Sequence, residues 1–368
     1  MKEAAEFVKG HGAPLVRPRR ILLIQLGDIG DVLLSTPCIR ALRDTFPNAR
    51  LAVAVRDKAA ELLADCPWLD EVIPVLKSRG GLLGELVGQV GFVLALRRAA
   101  YDLAIDLRTG TRGAIMARLS GARRRLGFFV DNEAWWRNAL FTDLLRLQYT
   151  PEIHAVDYLL RLLEAYGLSP RQRDPELVVS AGRLAEAEHL LSAIREEGKR
   201  IMVILQPFSL WHYKEWGTEK YVELIRWLIA ERQATVLISG AALERQRAAE
   251  IVRACGPGCH NLAGQTSLAL YAAVLKLGHL FVGVDSAGLH IAAAVGTPTV
   301  SIFGPSSPSA WAPRGGGHLV VQKSLPCVPC RMKGCNNSEV SRCLEELTVE
   351  EVAAAVDRQL KAINLFPR

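Results

Sequence analysis

Short aliphatic runs alternate with longer stretches of helical period along most of the chain. The runs at 21–26 (ILLIQL), 51–55 (LAVAV), 71–75 (EVIPV) and 102–106 (DLAID) predict strands with helices between them. The rhythm restarts at 201–205 (IMVIL), 234–239 (ATVLIS), 279–284 (HLFVGV) and 299–303 (TVSIF). Such alternation is the signature of βαβ units and a mainly parallel sheet. Residues 166–174 (YGLSPRQRD) are polar and contain Gly and Pro, so they form the natural linker. The expected division is an amino-terminal domain over 1–170, a carboxy-terminal domain over 171–350, and a closing helix over 351–368 that packs back on the first domain. Two doubly wound domains in succession predict a deep cleft between the carboxyl ends of their strands, where open α/β sheets bind ligands. Residues just after strands are therefore the first site candidates.

The longest greasy stretch, 80–100, is broken by Gly84, Glu85, Gly88 and Gly91, so it predicts a packed or surface-lying helix. A membrane span needs roughly 18 uninterrupted apolar residues. With 368 residues the chain suits about two domains of ordinary size. The start, MKEAAEFVKGHGAPLVRPRR, lacks the apolar segment of an export signal, which predicts a cytosolic protein with reduced cysteines. A formal charge of +7, from 45 basic and 38 acidic residues, points to an anionic partner without choosing among phosphorylated lipid, nucleotide and RNA.

Four stretches carry candidate chemistry. Residues 25–37 (QLGDIGDVLLSTP) place two aspartates, Asp28 and Asp31, in a glycine loop that otherwise looks built to hold a phosphate. Residues 281–311 run from a strand through a polar elbow at Asp285 and Ser286 into a short helix. There Ala287 and Gly288 would let a ligand approach the first turn, whose free N–H groups and positive dipole end favour a phosphate. His290 could donate to the same oxygen. In the plainer reading Asp285 or Ser286 caps the helix and His290 is a packed histidine. In QPFSLWHYKEW (206–216), Lys214 between aromatics, with Ser209 near the strand end, suits a point-charge contact to a diphosphate; the alternative is a solvated lysine beside packing tryptophans. In LISGAALERQ (237–246), Glu244 could meet a ribose diol or simply occupy a first helical turn.

The opening block ILLIQLGDIGDVLLSTPCIRALRDTFPNARLAVAV, the block DLRTGTRGAIMARLSGARRRLGF (106–128), the KEW element and DSAGLHIAAAVGTPTVSIFGPSSP together resemble the ADP-heptose:lipopolysaccharide heptosyltransferase family. These are inverting glycosyltransferases of the α/β class with the GT-B fold, two Rossmann-like domains facing a central cleft. The matches run in the family's order from about residue 20 to 355. Lys214 paired with Trp216, and Ala287 after Asp285 and Ser286, incline towards the branch that adds the third core heptose. Family members often have histidine where Gln206 stands and glycine where Ala287 stands, departures that bear on the donor sugar.

The resemblance implies roles. Inverting transfer from a nucleotide sugar needs a base on the acceptor hydroxyl and positive charge for the departing diphosphate. Asp31 matches the family's catalytic aspartate and is the implied base; Asp28 is read as structural, bonding loop N–H groups. Lys214, His290 and the helix start at 286–288 would offset the charge on ADP, so no metal cofactor is implied. The implied partners are ADP-heptose as donor and a phosphorylated lipopolysaccharide core as acceptor, met at the inner face of the cytoplasmic membrane. Arg108 and Arg112 are the acceptor-side candidates, within a wider group of Arg118, Arg123, Arg124, Arg125, Trp135, Trp136 and Arg137 that a plainer reading makes a solvated face. Two other readings stay open: a relative using another nucleotide sugar for a different surface glycan, and, more remotely, an RNA-binding protein. The dispersal of the basic residues and the lack of a recognised RNA module argue against nucleic acid.

Cys327, Cys330, Cys335 and Cys343 follow the spacing C-x2-C-x4-C-x7-C and could close a tetrahedral structural zinc site, with free thiols as the alternative. Cys255 and Cys259 read as loop residues, and Cys38 and Cys66 as core.

Overall fold

The structure is a computed structural model and describes residues 5–10, 12–76, 82–131, 134, 136–148, 150, 152–194 and 201–363. It divides into two compact units, Met1–Val178 and Val179–Arg368. The division falls beyond the boundary expected at residue 170. The segment after the linker is held by the first unit: Leu177 is buried, and the Glu176 N–H donates to Thr36 Oγ1 at 3.1 Å.

In the first unit, seven strands among the described residues form one sheet. They are β1 (Glu6–Lys9), β2 (Arg20–Gln25), β3 (Arg50–Arg56), β4 (Glu71–Val75), β5 (Leu103–Asp106), β6 (Arg124–Phe128) and β7 (Asp143–Arg146). Helices are α1 (Ile29–Leu34), α2 (Thr36–Thr45), α3 (Asp57–Ala60), α4 (Leu82–Arg98), α5 (Thr111–Leu119) and α6 (Ala155–Glu164). The strand order is β1-β7-β6-β5-β2-β3-β4, parallel throughout except for β1 against β7. From β2 the chain steps outward to β3 and β4, then returns to the other side of β2 with β5, so the order reverses between β2 and β5. Ile21, Leu22, Leu23 and Ile24 of central β2 are fully buried, which is why that strand reads as an unbroken aliphatic run. Pro74 lies in β4, an edge strand, the kind of strand to which proline is largely confined within sheets.

The second unit repeats the plan. Its strands are β8 (Ile201–Gln206), β9 (Ala234–Ile238), β10 (Cys259–Asn261), β11 (Leu280–Val284), β12 (Thr299–Phe303) and β13 (His318–Gln322). They lie in the order β10-β9-β8-β11-β12-β13, all parallel. Helices are α7 (Ala181–Ser192), α8 (Thr218–Arg232), α9 (Arg245–Cys255), α10 (Leu268–Leu277), α11 (Ala287–Ala294), α12 (Pro308–Trp311), α13 (Arg342–Glu345) and α14 (Val349–Ala362). Here the reversal lies between β8 and β11.

Helix α14 packs within the second unit. Val352, Val356 and Leu360 are fully buried in the core of the second unit, against α8, β12 and β13, and Asp357 pairs with Arg232 of α8 at 2.7 Å. A helix carrying that apolar stripe goes where the nearest uncovered sheet face is. Cys255 closes α9 and Cys259 opens β10, so neither is a loop residue; Cys38 is fully buried and Cys66 only half-buried. No helix of the described residues is long and apolar enough to cross a membrane.

Candidate active site

In a doubly wound sheet the connections on either side of the reversal leave towards opposite faces, opening a crevice at the carboxyl ends of the two strands. Each unit spans that crevice with an ion pair.

In the first unit β2 ends at buried Gln25. Gln25 Oε1 accepts from the Gly27 N–H at 3.2 Å, and Gln25 Nε2 donates to the Asp31 carbonyl at 3.3 Å, which folds the loop over the start of α1. Gly27 is required by close approach: a Cβ there would lie 2.5 Å from Asp31 Oδ2. Asp31 Oδ2 accepts from the Asp28 N–H at 3.0 Å, capping its own helix, and Oδ1 meets Arg108 Nη1 from the end of β5 at 3.0 Å. Capping and pairing thus coexist on one carboxylate, whose side chain is 19% exposed. Asp28, read as structural, is the N-cap of α1 in a capping box with Asp31, and its carboxylate also pairs with Arg56 at 2.6 Å. Arg112 is exposed in the first turn of α5.

Within the wider basic group Arg118 and Arg123 are exposed, whereas Arg124, Arg125 and Arg137 are engaged within the fold. Arg124 reaches Asp143 at 3.0 Å and the Ala13 carbonyl at 2.6 Å, and Arg125 donates to the carbonyls of Leu140 and Ala122 at 2.7 and 2.6 Å. Arg137 is fully buried. These guanidiniums satisfy loop, turn and strand-end carbonyls within the fold. Trp135 lies outside the described residues.

Sequence reading singled out no role for Asp106, although it stands at a strand end, the place searched first. It is fully buried, its Oδ1 accepts from the Arg108 N–H at 3.0 Å, and its Oδ2 has no hydrogen-bond partner among the described residues. Burial pushes its carboxyl up to about 7, against smaller lowering by that N–H and by the charges of Arg137 and Arg108. Between its ordinary value near 3.8 and about 7 the folded protein holds a proton that the unfolded chain has lost. Folding stability should therefore fall as pH rises through that window, by up to about 1.4 kcal/mol per pH unit from this group. Urea unfolding across the window checks this: Asp106→Asn, uncharged and nearly isosteric, should flatten the fall, and an unaltered slope would assign it elsewhere.

In the second unit β8 ends at Gln206, which occupies the place Gln25 has in the first. Gln206 Oε1 accepts from Tyr271 Oη at 2.9 Å, and that hydroxyl also meets Ser239 Oγ at 2.8 Å, tying together the ends of β8, β9 and the start of α10. The amide packs so closely on the first turn of α11 that a Cβ on Gly288 would fall 1.9 Å from Gln206 Oε1. This is the structural demand behind Gly288. Lys214 Nζ, from the 3-10 turn after β8, donates to Asp285 Oδ2 at the end of β11 at 2.6 Å. Asp285 is 8% exposed at its side chain. Ser286 is the N-cap of α11, with extended backbone and a buried Oγ that has no hydrogen-bond partner among the described residues. His290 lies buried on the same helix. Lys214, Asp285, Ser286, Ala287, Gly288 and His290 are thus brought to one place: an ammonium beside the positive end of a helix, an arrangement that attracts a phosphate.

Ser209 is buried, and its N–H donates to Glu215 Oε1 at 3.1 Å; Arg247 grips the same carboxylate at 2.5 Å. Glu244 Oε2 accepts from the Ala241 N–H at 2.6 Å, so the helix-start reading describes its present engagement; burial and Glu215 hold its carboxyl above the ordinary range. Trp216 is buried with its indole N–H on the Leu347 carbonyl at 2.9 Å, whereas Trp211 is exposed at the surface.

The four carboxy-terminal cysteines line one cavity of about 410 Å³, but among the described residues no three His, Cys, Asp or Glu side chains come together as a metal would require. The zinc expectation is therefore not supported. The segment turns through Gly334, Asn336 and Asn337 at positive φ, leaving Cys327 and Cys335 exposed while Cys343 is buried in α13, its thiol pushed up to about 11 by desolvation and the nearby Cys330. What this segment does touch is the Lys214 turn: Ser341 Oγ donates to the Tyr213 carbonyl at 2.6 Å, and the Lys333 ammonium lies 5.5 Å over the Trp211 ring.

A family model described as "Glycosyltransferase family 9 (heptosyltransferase)" matches residues 91–341. The chain is 27% identical over 288 residues to lipopolysaccharide heptosyltransferase 3 of Escherichia coli (strain K12), covering 77% of this chain and 82% of that protein. It is 28% identical over 369 aligned residues to lipopolysaccharide heptosyltransferase 1 of Pseudomonas aeruginosa, covering 95% and 99%. Among solved structures, E. coli ADP-heptose lps heptosyltransferase II aligns with a TM-score of 0.77 at 24% identity, covering 94% of this chain and 99% of that one, a likeness of fold.

Proposed function

The chain belongs to glycosyltransferase family 9, the heptosyltransferases, and from that premise we propose that it moves heptose from ADP-heptose to the inner core of lipopolysaccharide, with inversion at the anomeric carbon. The observation that carries this reading is the paired placement described above: a capped carboxylate, Asp31, at the reversal of the first sheet, and an ammonium, Lys214, beside the start of α11 at the reversal of the second. Curated relatives bearing the names of lipopolysaccharide heptosyltransferases match most of the chain, and a solved relative is named for ADP-heptose.

In this reading the acceptor hydroxyl attacks the anomeric carbon of the donor while Asp31 takes its proton. The carbon–oxygen bond to the diphosphate breaks, and its electron pair leaves with ADP. Lys214, the first-turn N–H groups of α11 and the Ser286 hydroxyl stabilise the charge that develops there. The arriving diphosphate competes with Asp285 for Lys214. Ser209 and His290 support the donor side, and Glu244 supplies a carboxylate towards the ribose. Arg108 and Arg112 are assigned to an acceptor phosphate. The acceptor is lipid-anchored, so the protein works in peripheral contact with the inner face of the cytoplasmic membrane.

Fixed positive charge on the chain does the work a divalent ion does elsewhere, so ADP release from ADP-heptose with a truncated core acceptor should persist in excess EDTA. Loss of release in EDTA and its recovery with Mg²⁺ would contradict that division of labour.

A further inference from the structure

Arg108 is an exposed arginine, yet its peptide is held on both sides. Its N–H donates to Asp106 Oδ1 at 3.0 Å, and its carbonyl accepts from Arg137 Nη2 at 3.1 Å. The same guanidinium donates through Nη1 to the Phe128 carbonyl at 2.6 Å and to Asn138 Oδ1 at 3.0 Å, through Nε to the Gly110 carbonyl at 3.5 Å, and lies 4.9 Å over the Phe141 ring. Both ionisable groups are fully buried. Gly113 in α5 makes the room: a Cβ there would lie 2.4 Å from Asp106 Oδ2.

Burying a carboxyl and a guanidinium is costly, and apolar residues of like volume would often hold a core as well or better. What apolar residues could not do is fix the peptide groups of Arg108 and Gly110. That turn aims one side chain: Arg108 Nη1 meets Asp31 Oδ1 at 3.0 Å while the arginine stays 45% exposed and otherwise open to many rotamers.

We infer that Asp106 and Arg137 are positioning residues that hold the Arg108 turn so that its guanidinium orients the Asp31 carboxylate. This rests on the reading of Asp31 as the base of the transfer. Neither residue touches substrate in this account; both act through Arg108.

Steady-state transfer from ADP-heptose to a truncated core acceptor, with ADP binding measured in parallel, tests it. Asp106→Ala and Arg137→Met should lower kcat by about 10- to 100-fold, the scale of a displaced reacting group, with ADP affinity unchanged. Asp106→Asn, which keeps an oxygen for the Arg108 N–H, should recover most of that loss. In an Arg108→Ala background, Asp106→Ala and Arg137→Met should cost nothing further, because the residue they act through is gone. Losses that multiply in that background, or Asp106→Asn as impaired as Asp106→Ala, would overturn the inference. Should Arg137→Met not fold, Arg137→Lys carries the same comparison, since it keeps the charge and loses the fork that spans Arg108 and Phe128. Hydrogen exchange needs no turnover: residues 107–110 should exchange faster in Asp106→Ala while β5 and α5 keep native protection, and unchanged exchange there would overturn the inference even if the native protein transferred no sugar at all. Failure of the native protein to use ADP-heptose would instead count against the transferase reading.

Discussion

Asp31→Asn should bind ADP as the native protein does and transfer sugar about 10²- to 10⁴-fold more slowly, the usual scale for removing a general base. The substitution is nearly isosteric. Its side-chain oxygen can still accept the Asp28 N–H that Asp31 Oδ2 accepts at 3.0 Å, so the start of α1 should keep its cap. What it loses is the capacity to take a proton and the ion pair with Arg108. Because Asp31 and the proposed donor site lie on different units, ADP affinity should be insensitive to the change. Isothermal titration with ADP and a continuous ADP-release assay separate the two quantities; normal transfer by Asp31→Asn would remove Asp31 from the chemistry.

Lys214→Met should act on the other half of the reaction. The ammonium is the only charge partner the structure gives the Asp285 carboxylate among the described pairs, and that carboxylate is 8% exposed at its side chain. Removing the lysine takes away a charge that stabilises the departing diphosphate and leaves Asp285 unpaired beside it. Transfer should drop by about 10²- to 10³-fold, in line with the loss of one preorganised group at a developing charge, and ADP should bind more weakly. The double variant Lys214→Met with Asp285→Asn should regain ADP affinity without regaining turnover. If the single variant bound ADP as well as the native protein, the diphosphate would not sit at the start of α11.

The strands that the sequence discloses are mostly those buried on both faces: β2, β3, β5, β8, β9, β11 and β12 read as largely apolar runs because parallel strands covered by helices have no polar face, and β4 is the one partly buried edge strand among those predicted. The others are short, polar or at edges: β1 is exposed along its length, β6 begins with Arg124 and Arg125, β10 has three residues, and β13 is the half-buried edge of its sheet. The site was legible as residues following strands, and hidden as a set of partners. Asp31 and Arg108, or Lys214 and Asp285, meet only because each sheet reverses its strand order between them, and periodicity does not report strand order. Asp106 was hidden for a further reason: an aspartate at a strand end looks the same whether it faces water or is sealed under Gly113. The arginines of β6 misled in the opposite direction, since a guanidinium tied to carbonyls has the same letter as one exposed to a membrane. Cysteine spacing gave ligand types without their exposures, and those exposures differ among the four.

The most direct test of the account is to incubate the purified protein with ADP-heptose and a truncated lipopolysaccharide core, then measure released ADP and the mass and anomeric configuration of the product. The account predicts one ADP for each heptose gained by the acceptor, with the configuration inverted. ADP release that ignores the acceptor, retention of configuration, or consumption of a different nucleotide sugar in place of ADP-heptose would contradict it.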